Sequence, residues 1–273
     1  MKKVVSIQDI SCYGQCSLTV ALPILSAYGI ETAILPSAIL STHTGGFQGF
    51  TSLDLTEEMP RILAHWIREG IRFDAIYTGY IGDARQFELI RKAKNSILTA
   101  GGKLMVDPAM ADHGKLYGAL TPDIVAGMRT LVRDADVILP NLTEAAFLLD
   151  VPYEEQYDRN RIMEMLKKLG EMGPETVILT GVSFENGRVG AVAWQKESGV
   201  YQECFTERMR RDYHGTGDVF SSVAIANLLN GTDVSVALKR ACEFVVESIR
   251  NTMPDAEHSY GVKFESVLAK NRV

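Results

Sequence analysis

The chain has 273 residues, of which 46% are hydrophobic and 23% are charged, and its formal net charge is −6. This is the composition of an ordinary globular protein, without the excess of positive charge needed to follow a phosphate backbone, so we expect no nucleic-acid partner. The apolar run near the start is too short for a signal-peptide core, and no run approaches the roughly 18 apolar residues that a membrane helix needs. We therefore expect one cytoplasmic domain over residues 1–273 and no membrane partner.

The predicted elements alternate between strands and helices along the chain. Short apolar runs predict strands at 4–7, 75–78, 104–106, 137–139 and 176–179, and amphipathic or apolar stretches predict helices at 17–28, 56–69, 83–98, 122–132, 143–149, 159–172, 218–229 and 234–250. Asp83 and Gln86 are expected to cap the third helix, and Gly101-Gly102 to end it. Segments 189–194 and 200–205 are predicted to form an antiparallel hairpin.

This alternation predicts an α/β fold with a doubly wound, mostly parallel sheet, helices on both faces and a short antiparallel edge. Ligands of such sheets bind beyond the carboxyl ends of the strands. Four sparse cysteines do not suggest a disulfide scaffold, and Cys12 and Cys16 lack the second cluster of ligands that a metal site needs. The loops that follow the strands are therefore where we look for chemistry.

The most informative motif is His214-Gly215-Thr216-Gly217-Asp218, which runs directly into an apolar helix. Two glycines permit backbone angles in which successive N–H groups converge on an anion at the helix start, so Gly215, Thr216 and Gly217 form a candidate anion hole. Asp218 is placed to accept the proton of an attacking hydroxyl. Taken alone, the motif is also consistent with an ordinary helix cap.

Two further acidic positions follow predicted strands. Asn141 and Glu144 open a helix after one strand, and Asp107 precedes a proline after another. A carboxylate at such a position can hold magnesium. Plain helix capping and a turn aspartate are the structural alternatives.

Together these residues resemble the ribokinase-like superfamily, whose Asn-x-x-Glu and Gly-x-Gly-Asp motifs are similar to Asn141–Glu144 and Gly215–Asp218. A narrower resemblance, to the pyridoxal kinases, rests on landmarks that occur here in that family's order. They are Ser6-Ile7-Gln8, Tyr13-Gly14, Ser41-Thr42-His43-Thr44-Gly45, Thr78-Gly79-Tyr80, Asp107-Pro108, Pro140-Asn141 and Gly173-Pro174-Glu175-Thr176-Val177. The resemblance implies ATP-dependent phosphorylation of the 5′-hydroxymethyl group of a B6 vitamer, in a homodimer.

The resemblance also implies a role for individual positions. Asp218 would deprotonate the hydroxymethyl group, and Thr44, Tyr80 and His43 would surround the pyridine ring. Asp107 and Glu144 would govern Mg²⁺, directly or through water. The positions implied to face the phosphates of ATP are Asp112, Asn141 and Thr180. A requirement for a monovalent cation and the contacts to adenine stay open.

The sequence departs from the pyridoxal kinase pattern at Asp9, where that family usually has serine. A carboxylate there can pair with a protonated ring nitrogen or an amine, so we expect a preference for pyridoxamine. An early aspartate also resembles the hydroxymethylpyrimidine kinases, which typically carry cysteine at the position of Asp218. Such a kinase, another kinase of the same fold and a non-catalytic vitamin-binding protein are the alternatives.

Overall fold

The computed structural model describes residues 1–118 and 120–270. The strands are β1 Lys3–Ile7, β2 Ile10–Ser11, β3 Glu31–Ile34, β4 Ala38–Leu40, β5 Ser52–Asp54, β6 Phe73–Thr78, β7 Leu98–Val106, β8 Ala111–Asp112, β9 Lys115–Leu116, β10 Val137–Ile138, β11 Thr176–Val182, β12 Arg188–Gln195 and β13 Tyr201–Glu207. The helices are α1 Leu18–Ala27, α2 Met59–Arg68, α3 Arg85–Ile97, α4 Pro122–Asp134, α5 Leu142–Leu149, α6 Arg159–Met172, α7 Thr216–Leu229, α8 Val234–Thr252 and α9 Glu265–Lys270.

The central sheet has eight strands in the order β13-β12-β11-β10-β7-β6-β1-β3. The six from β11 to β3 run parallel, whereas β12 and β13 extend the sheet as an antiparallel edge. The predicted fold class is therefore confirmed. The carboxyl ends of the parallel strands lie along one edge, which is where polar loops can gather around a ligand.

Side chains alternate between the two faces of the sheet, as the two-residue period of a strand requires. Val5, Ile76 and Leu104 belong to the core covered by α2 to α6, whereas Val4 and Ala75 belong to the core covered by α1, α7, α8 and α9. Burial on both faces explains why these strands read as continuous apolar runs.

Helix α7 is buried on nearly all sides, with every residue from Val219 to Asn227 inaccessible or almost so. It packs between α1 and α8 against the sheet. A helix without a polar face is expected in such an interior position. Its first turn carries the glycine motif, so the motif is fixed to the core.

Several short elements were not predicted. Strand β3 extends the main sheet, β2, β4 and β5 form a separate small sheet, and β8 and β9 form a hairpin. The predicted role of Gly101-Gly102 as the stop of α3 is wrong, because α3 ends at Ile97 and both glycines lie within β7. The predicted cap of α3 is also incomplete: Asp83 accepts the Arg85 N–H at 2.8 Å, but the Gln86 amide donates to Thr56 instead.

No helix among residues 1–118 and 120–270 combines the length and hydrophobicity needed to cross a bilayer.

Candidate active site

Most of the predicted site residues meet at the carboxyl edge of the sheet. Asp9 follows β1, Tyr80 follows β6, Asp107 directly follows β7, and Asn141 follows β10. Thr180 lies in β11, where its backbone N–H donates to the carbonyl of Pro140 at 2.9 Å. The parallel register aligns these ends, because Ile7 pairs with Thr78, Thr78 with Val106 and Val106 with Ile138, the last residues of β1, β6, β7 and β10.

The glycine motif forms the start of α7. Gly215 is the N-cap residue and has left-handed backbone angles, φ 75° and ψ 0°. A Cβ atom at this position would lie 1.9 Å from the carbonyl oxygen of Gln15 in the first loop, residues 12–17 between β2 and α1. Only glycine therefore allows α7 to approach this loop so closely. The N–H groups of the first turn have no acceptor within the helix and are free to bind an anion.

Asp218 lies in the first turn of α7 and is half-buried. Burial, and then the negative charges of Asp107 and Asp9, raise the pKa of Asp218 to about 8, against the opposing effect of the nearby Ser17 backbone N–H. A carboxylate with a pKa in this range is a competent general base near neutral pH.

Asp107 and Glu144 form an acidic pair near Asp218. Both are almost fully buried. Burial raises the pKa of each carboxyl group, and the charge of Asp107 raises that of Glu144 further. Two buried carboxylates that repel one another fit a divalent cation, which takes one or two protein carboxylates and completes its shell with water and phosphate oxygens. Magnesium is therefore compatible with this pair.

Glu144 is also held by the protein itself. Its Oε2 accepts the Asn141 N–H at 2.9 Å and its Oε1 accepts the Met110 N–H at 3.1 Å. In return, Asn141 Oδ1 accepts the Glu144 N–H at 2.9 Å, which completes a capping box at the start of α5. The capping considered as an alternative is present, and it leaves the remaining lone pairs of Glu144 for water or metal.

The residues predicted to face phosphate differ in their surroundings. Asn141 Nδ2 donates to the carbonyl of Ala111 at 2.8 Å, so both ends of this amide have partners in the protein. Thr180 pairs with Asn141 through a parallel bridge. Asp112 is exposed on the β8–β9 hairpin and accepts the His113 N–H at 2.8 Å. Their contacts with nucleotide stay predictions.

The residues predicted to bind the acceptor include Asp9, Tyr80 and His43. Asp9 is 4% exposed, and Ser11 donates a 3.0 Å hydrogen bond to its carboxylate. Burial raises the pKa of Asp9 despite the Ser17 and Ser11 hydroxyls, and burial together with Asp9 raises that of Tyr80 to about 12. None of the ion pairs formed within the described ranges includes Asp9. It is thus a buried acid without a cationic partner there.

His43 is buried and neutral, because burial and then the neighbouring His214 lower its pKa to about 4. Its Nδ1 accepts the Gly45 N–H at 3.2 Å, so the proton lies on Nε2. That Nε2 has no hydrogen-bond partner in the described part of the chain. Thr44, the next residue, is exposed.

Two residues near these acids were not predicted as site residues. The pKa of Tyr117 is raised by burial and by Glu144, Asp112, Asp107 and Asp218, so its hydroxyl lies close to the acidic group as a whole. Ser17 contacts both Asp9 and Asp218. A tyrosine in a loop and a serine before an apolar helix carry no sequence signal that would single them out.

A partly buried carboxylate in the first turn of a helix, next to amides without an acceptor in the helix and on the same sheet edge as an acidic pair, provides most of what phosphoryl transfer requires. The fold and this site define the class of the protein: a small-molecule kinase of the ribokinase-like type.

Comparison with known proteins agrees. The phosphomethylpyrimidine kinase family model matches residues 22–263. A putative phosphomethylpyrimidine kinase from Bacteroides thetaiotaomicron, crystallised with pyridoxal, is 38% identical with a TM-score of 0.93 over 98% of this chain and 95% of its own. The pyridoxal kinase of Lactobacillus plantarum is 32% identical, with a TM-score of 0.90 over 99% and 96% of the two chains.

Among curated proteins, pyridoxal kinase PdxY of Histophilus somni is 28% identical over 99% of this chain and 94% of its own. The chain therefore belongs to the pyridoxal kinase family of the ribokinase-like fold, and the resemblance inferred from its motifs is confirmed.

Proposed function

We propose that this protein transfers the γ-phosphoryl group of ATP to the 5′-hydroxymethyl group of pyridoxal, pyridoxamine or pyridoxine. The observation that carries the proposal is the position of Asp218, a deep carboxylate in the first turn of α7 beside the glycine anion hole. In this proposal Asp218 takes the hydroxyl proton as the oxygen attacks phosphorus. The amides of residues 215–217 stabilise the charge that develops on the phosphoryl oxygens.

In this mechanism Asp107 and Glu144 hold Mg²⁺, and Asn141, Thr180 and Asp112 lie on the side of the ATP phosphates. Magnesium, when bound, neutralises phosphate charge and orients the phosphoryl group. The location of Asp107 directly after β7 and its proximity to Asp218 support this division of the site.

The pyridine ring is assigned to the side of Tyr80, Thr44 and His43. Tyr80 offers an aromatic face for a flat heteroaromatic ring. His43 offers a buried Nε2–H donor without a partner among the described residues, which suits an oxygen substituent of the ring.

Activity is tested by following ATP consumption with magnesium and each B6 vitamer in turn, and with hydroxymethylpyrimidine. Phosphorylation of a B6 vitamer is the expected result. Turnover of the pyrimidine alone would replace the proposal by the second candidate, which the name of the matching family model favours. Binding of a vitamer without ATP turnover would instead indicate a non-catalytic protein.

Replacing Asp9 with serine is expected to lower kcat/KM for pyridoxamine relative to pyridoxine by about tenfold or more. The physical reason is that a buried carboxylate with only hydroxyl donors around it gains a cationic partner when the amine binds. A hydrogen bond to a charged group contributes about 1.5–3 kcal/mol. Steady-state kinetics with both vitamers measure the ratio.

Asp9→Asn is the matched variant, since it keeps the size of the side chain and removes the charge. Equal losses for pyridoxamine and pyridoxine would assign Asp9 to the ring nitrogen that they share. An unchanged preference in both variants would contradict a role for Asp9 in selecting the vitamer.

Magnesium is expected to raise the melting temperature of the nucleotide-free protein through Asp107 and Glu144. At a concentration 100 times its Kd, a ligand stabilises by about 2.7 kcal/mol, which for a chain of this size raises Tm by roughly 5–10 °C. Thermal unfolding with and without magnesium measures the shift. Asp107→Asn should abolish it, whereas Glu197→Gln, in the turn after β12, should retain it. A full shift in Asp107→Asn would place the metal elsewhere.

We also propose a cytoplasmic homodimer with one domain over residues 1–273. The sharing of one sheet by β1 near the start and β13 near the end supports the single domain. Sedimentation analysis of the purified chain tests the dimer.

A further inference from the structure

Ser17 has an unusual backbone for a residue with a side chain. Its angles are φ 52° and ψ −129°, at the N-cap of α1, and it is 6% exposed. These are the angles of the first central position in a type II′ turn, which glycine strongly favours. A buried non-glycine residue persists in such a conformation only when its surroundings hold it there, and such residues concentrate at functional sites.

The two polar groups of Ser17 are directed at two different acids. Its backbone N–H lies beside the carboxylate of Asp218 and its hydroxyl lies beside that of Asp9, so that each group lowers the pKa of the acid next to it. The hydroxyl makes no cap hydrogen bond to α1, which is the usual role of serine at an N-cap. Helix capping therefore does not account for the residue.

Residues 15–18, the segment around Ser17, lie between these two acids. The Gln15 carbonyl lies where a Cβ of Gly215 would be, and the Cys16 thiol is close enough to Asp218 and Asp9 for both charges to act on it. The Leu18 N–H donates to the backbone carbonyl of Asp9 at 3.2 Å. The first loop thus joins the anion hole on one side to the acceptor carboxylate on the other.

We propose that Ser17 is a positioning residue, which fixes Asp218 through its backbone N–H and orients the Asp9 carboxylate toward the acceptor through its hydroxyl. The proposal rests on the proposed function, since it assigns the acceptor to Asp9 and the base to Asp218. One residue would then affect both the selection of a cationic vitamer and the placement of the base. The positive φ is the means, because it turns the N–H toward α7 while the side chain stays on Asp9.

The test compares Ser17→Gly with Ser17→Ala. Both remove the hydroxyl, but glycine adopts the observed angles freely, whereas alanine keeps the steric conflict. We expect KM for pyridoxamine to rise about tenfold in both variants, with most of the effect in KM rather than kcat, since the N–H to Asp218 remains. Ser17→Gly should melt at a higher temperature than Ser17→Ala. Ser198→Gly, in the turn between β12 and β13, is the control and should leave KM unchanged.

A double-mutant cycle with Asp9→Asn separates positioning from simple structure. In the Asp9→Asn background, Ser17→Gly should change KM for pyridoxamine by less than about twofold, because the carboxylate that the hydroxyl holds is already gone. The same tenfold rise in both backgrounds would overturn the proposal, as would a melting temperature for Ser17→Gly below that of Ser17→Ala. If the wild type phosphorylates no B6 vitamer, the proposed function fails. Comparing the melting temperatures of Ser17→Gly and Ser17→Ala then still tests whether the backbone of Ser17 is strained.

Discussion

Asp218→Asn is expected to lower kcat by about 10²–10⁴-fold, the usual contribution of a general base. Asparagine keeps the shape of the side chain and still accepts the Ser17 N–H, but its amide cannot take a proton from the acceptor hydroxyl. Because the amide also removes one of several neighbouring buried negative charges, binding of MgATP should weaken little or not at all. Single-turnover kinetics with saturating ATP measure the chemical step directly.

The matched control is Asp212→Asn, an exposed aspartate in the loop before α7, which should leave kcat unchanged. A variant at Asp218 that retains more than about a tenth of the wild-type kcat would contradict its assignment as the base.

The pH dependence follows from the same residue. Because burial and the charge of Asp107 raise the pKa of Asp218 from 3.8 to about 8, the base becomes protonated as the pH falls below about 8, and the rate should fall with it. A cation beside Asp107 removes part of the repulsion, so higher magnesium should move this acid limb to lower pH. The sign for stability is opposite to that of a salt-bridged acid: the contribution of Asp218 to the stability of the metal-free protein falls as the pH rises from about 4 to about 8.

Gly215→Ala is the second variant for which we expect a large effect, a loss of at least about 10²-fold in kcat together with a lower melting temperature. A Cβ placed 1.9 Å from the Gln15 carbonyl forces the first loop and the start of α7 apart. That movement displaces the anion hole and the Ser17 N–H together. A displacement of about 1 Å at a reacting centre is enough for a loss of this size.

Gly231→Ala separates this clash from the backbone conformation. Gly231 follows the other end of α7 with φ 78°, close to the 75° of Gly215, and no atom lies within 4 Å of its would-be Cβ. It should cost about 1–2 kcal/mol of stability, the usual penalty for a side chain in the left-handed region, and should leave kcat unchanged. Equal kinetic effects in the two variants would show that close approach to Gln15 is not what Gly215 provides.

The sequence was sufficient to predict which candidate residues lie together, because their positions follow from sheet geometry. Asp9, Asp107 and Asn141 each come just after an apolar run, and parallel strands bring such positions together. The glycines on either side of Thr216 predicted an anion-binding helix start, because two glycines at the beginning of an apolar helix allow backbone N–H groups to converge on one point.

The remaining features depend on contacts that no local pattern encodes. The small sheet of β2, β4 and β5 is built from strands of two or three residues, too short to show a period. Gly101 looked like a helix stop, yet it lies in β7 near a shift in register with β6. The backbone of Ser17 lies beside Asp9, which is near in the chain, and beside Asp218, which is about 200 residues away and becomes a neighbour only in the folded chain.

The burial of α7 on nearly all sides also implies that different parts of the molecule differ in local stability. Backbone amides inside a helix with no exposed face exchange with solvent only when the protein opens globally, whereas residues 41–51 are mostly exposed, have little regular structure and can open locally. The proposed base, Asp218, therefore lies at the start of an element that opens only on global unfolding, whereas His43 and Thr44 lie in a segment that can open locally. If these residues surround the acceptor as proposed, the acceptor side of the site can adapt while the proposed base stays in place.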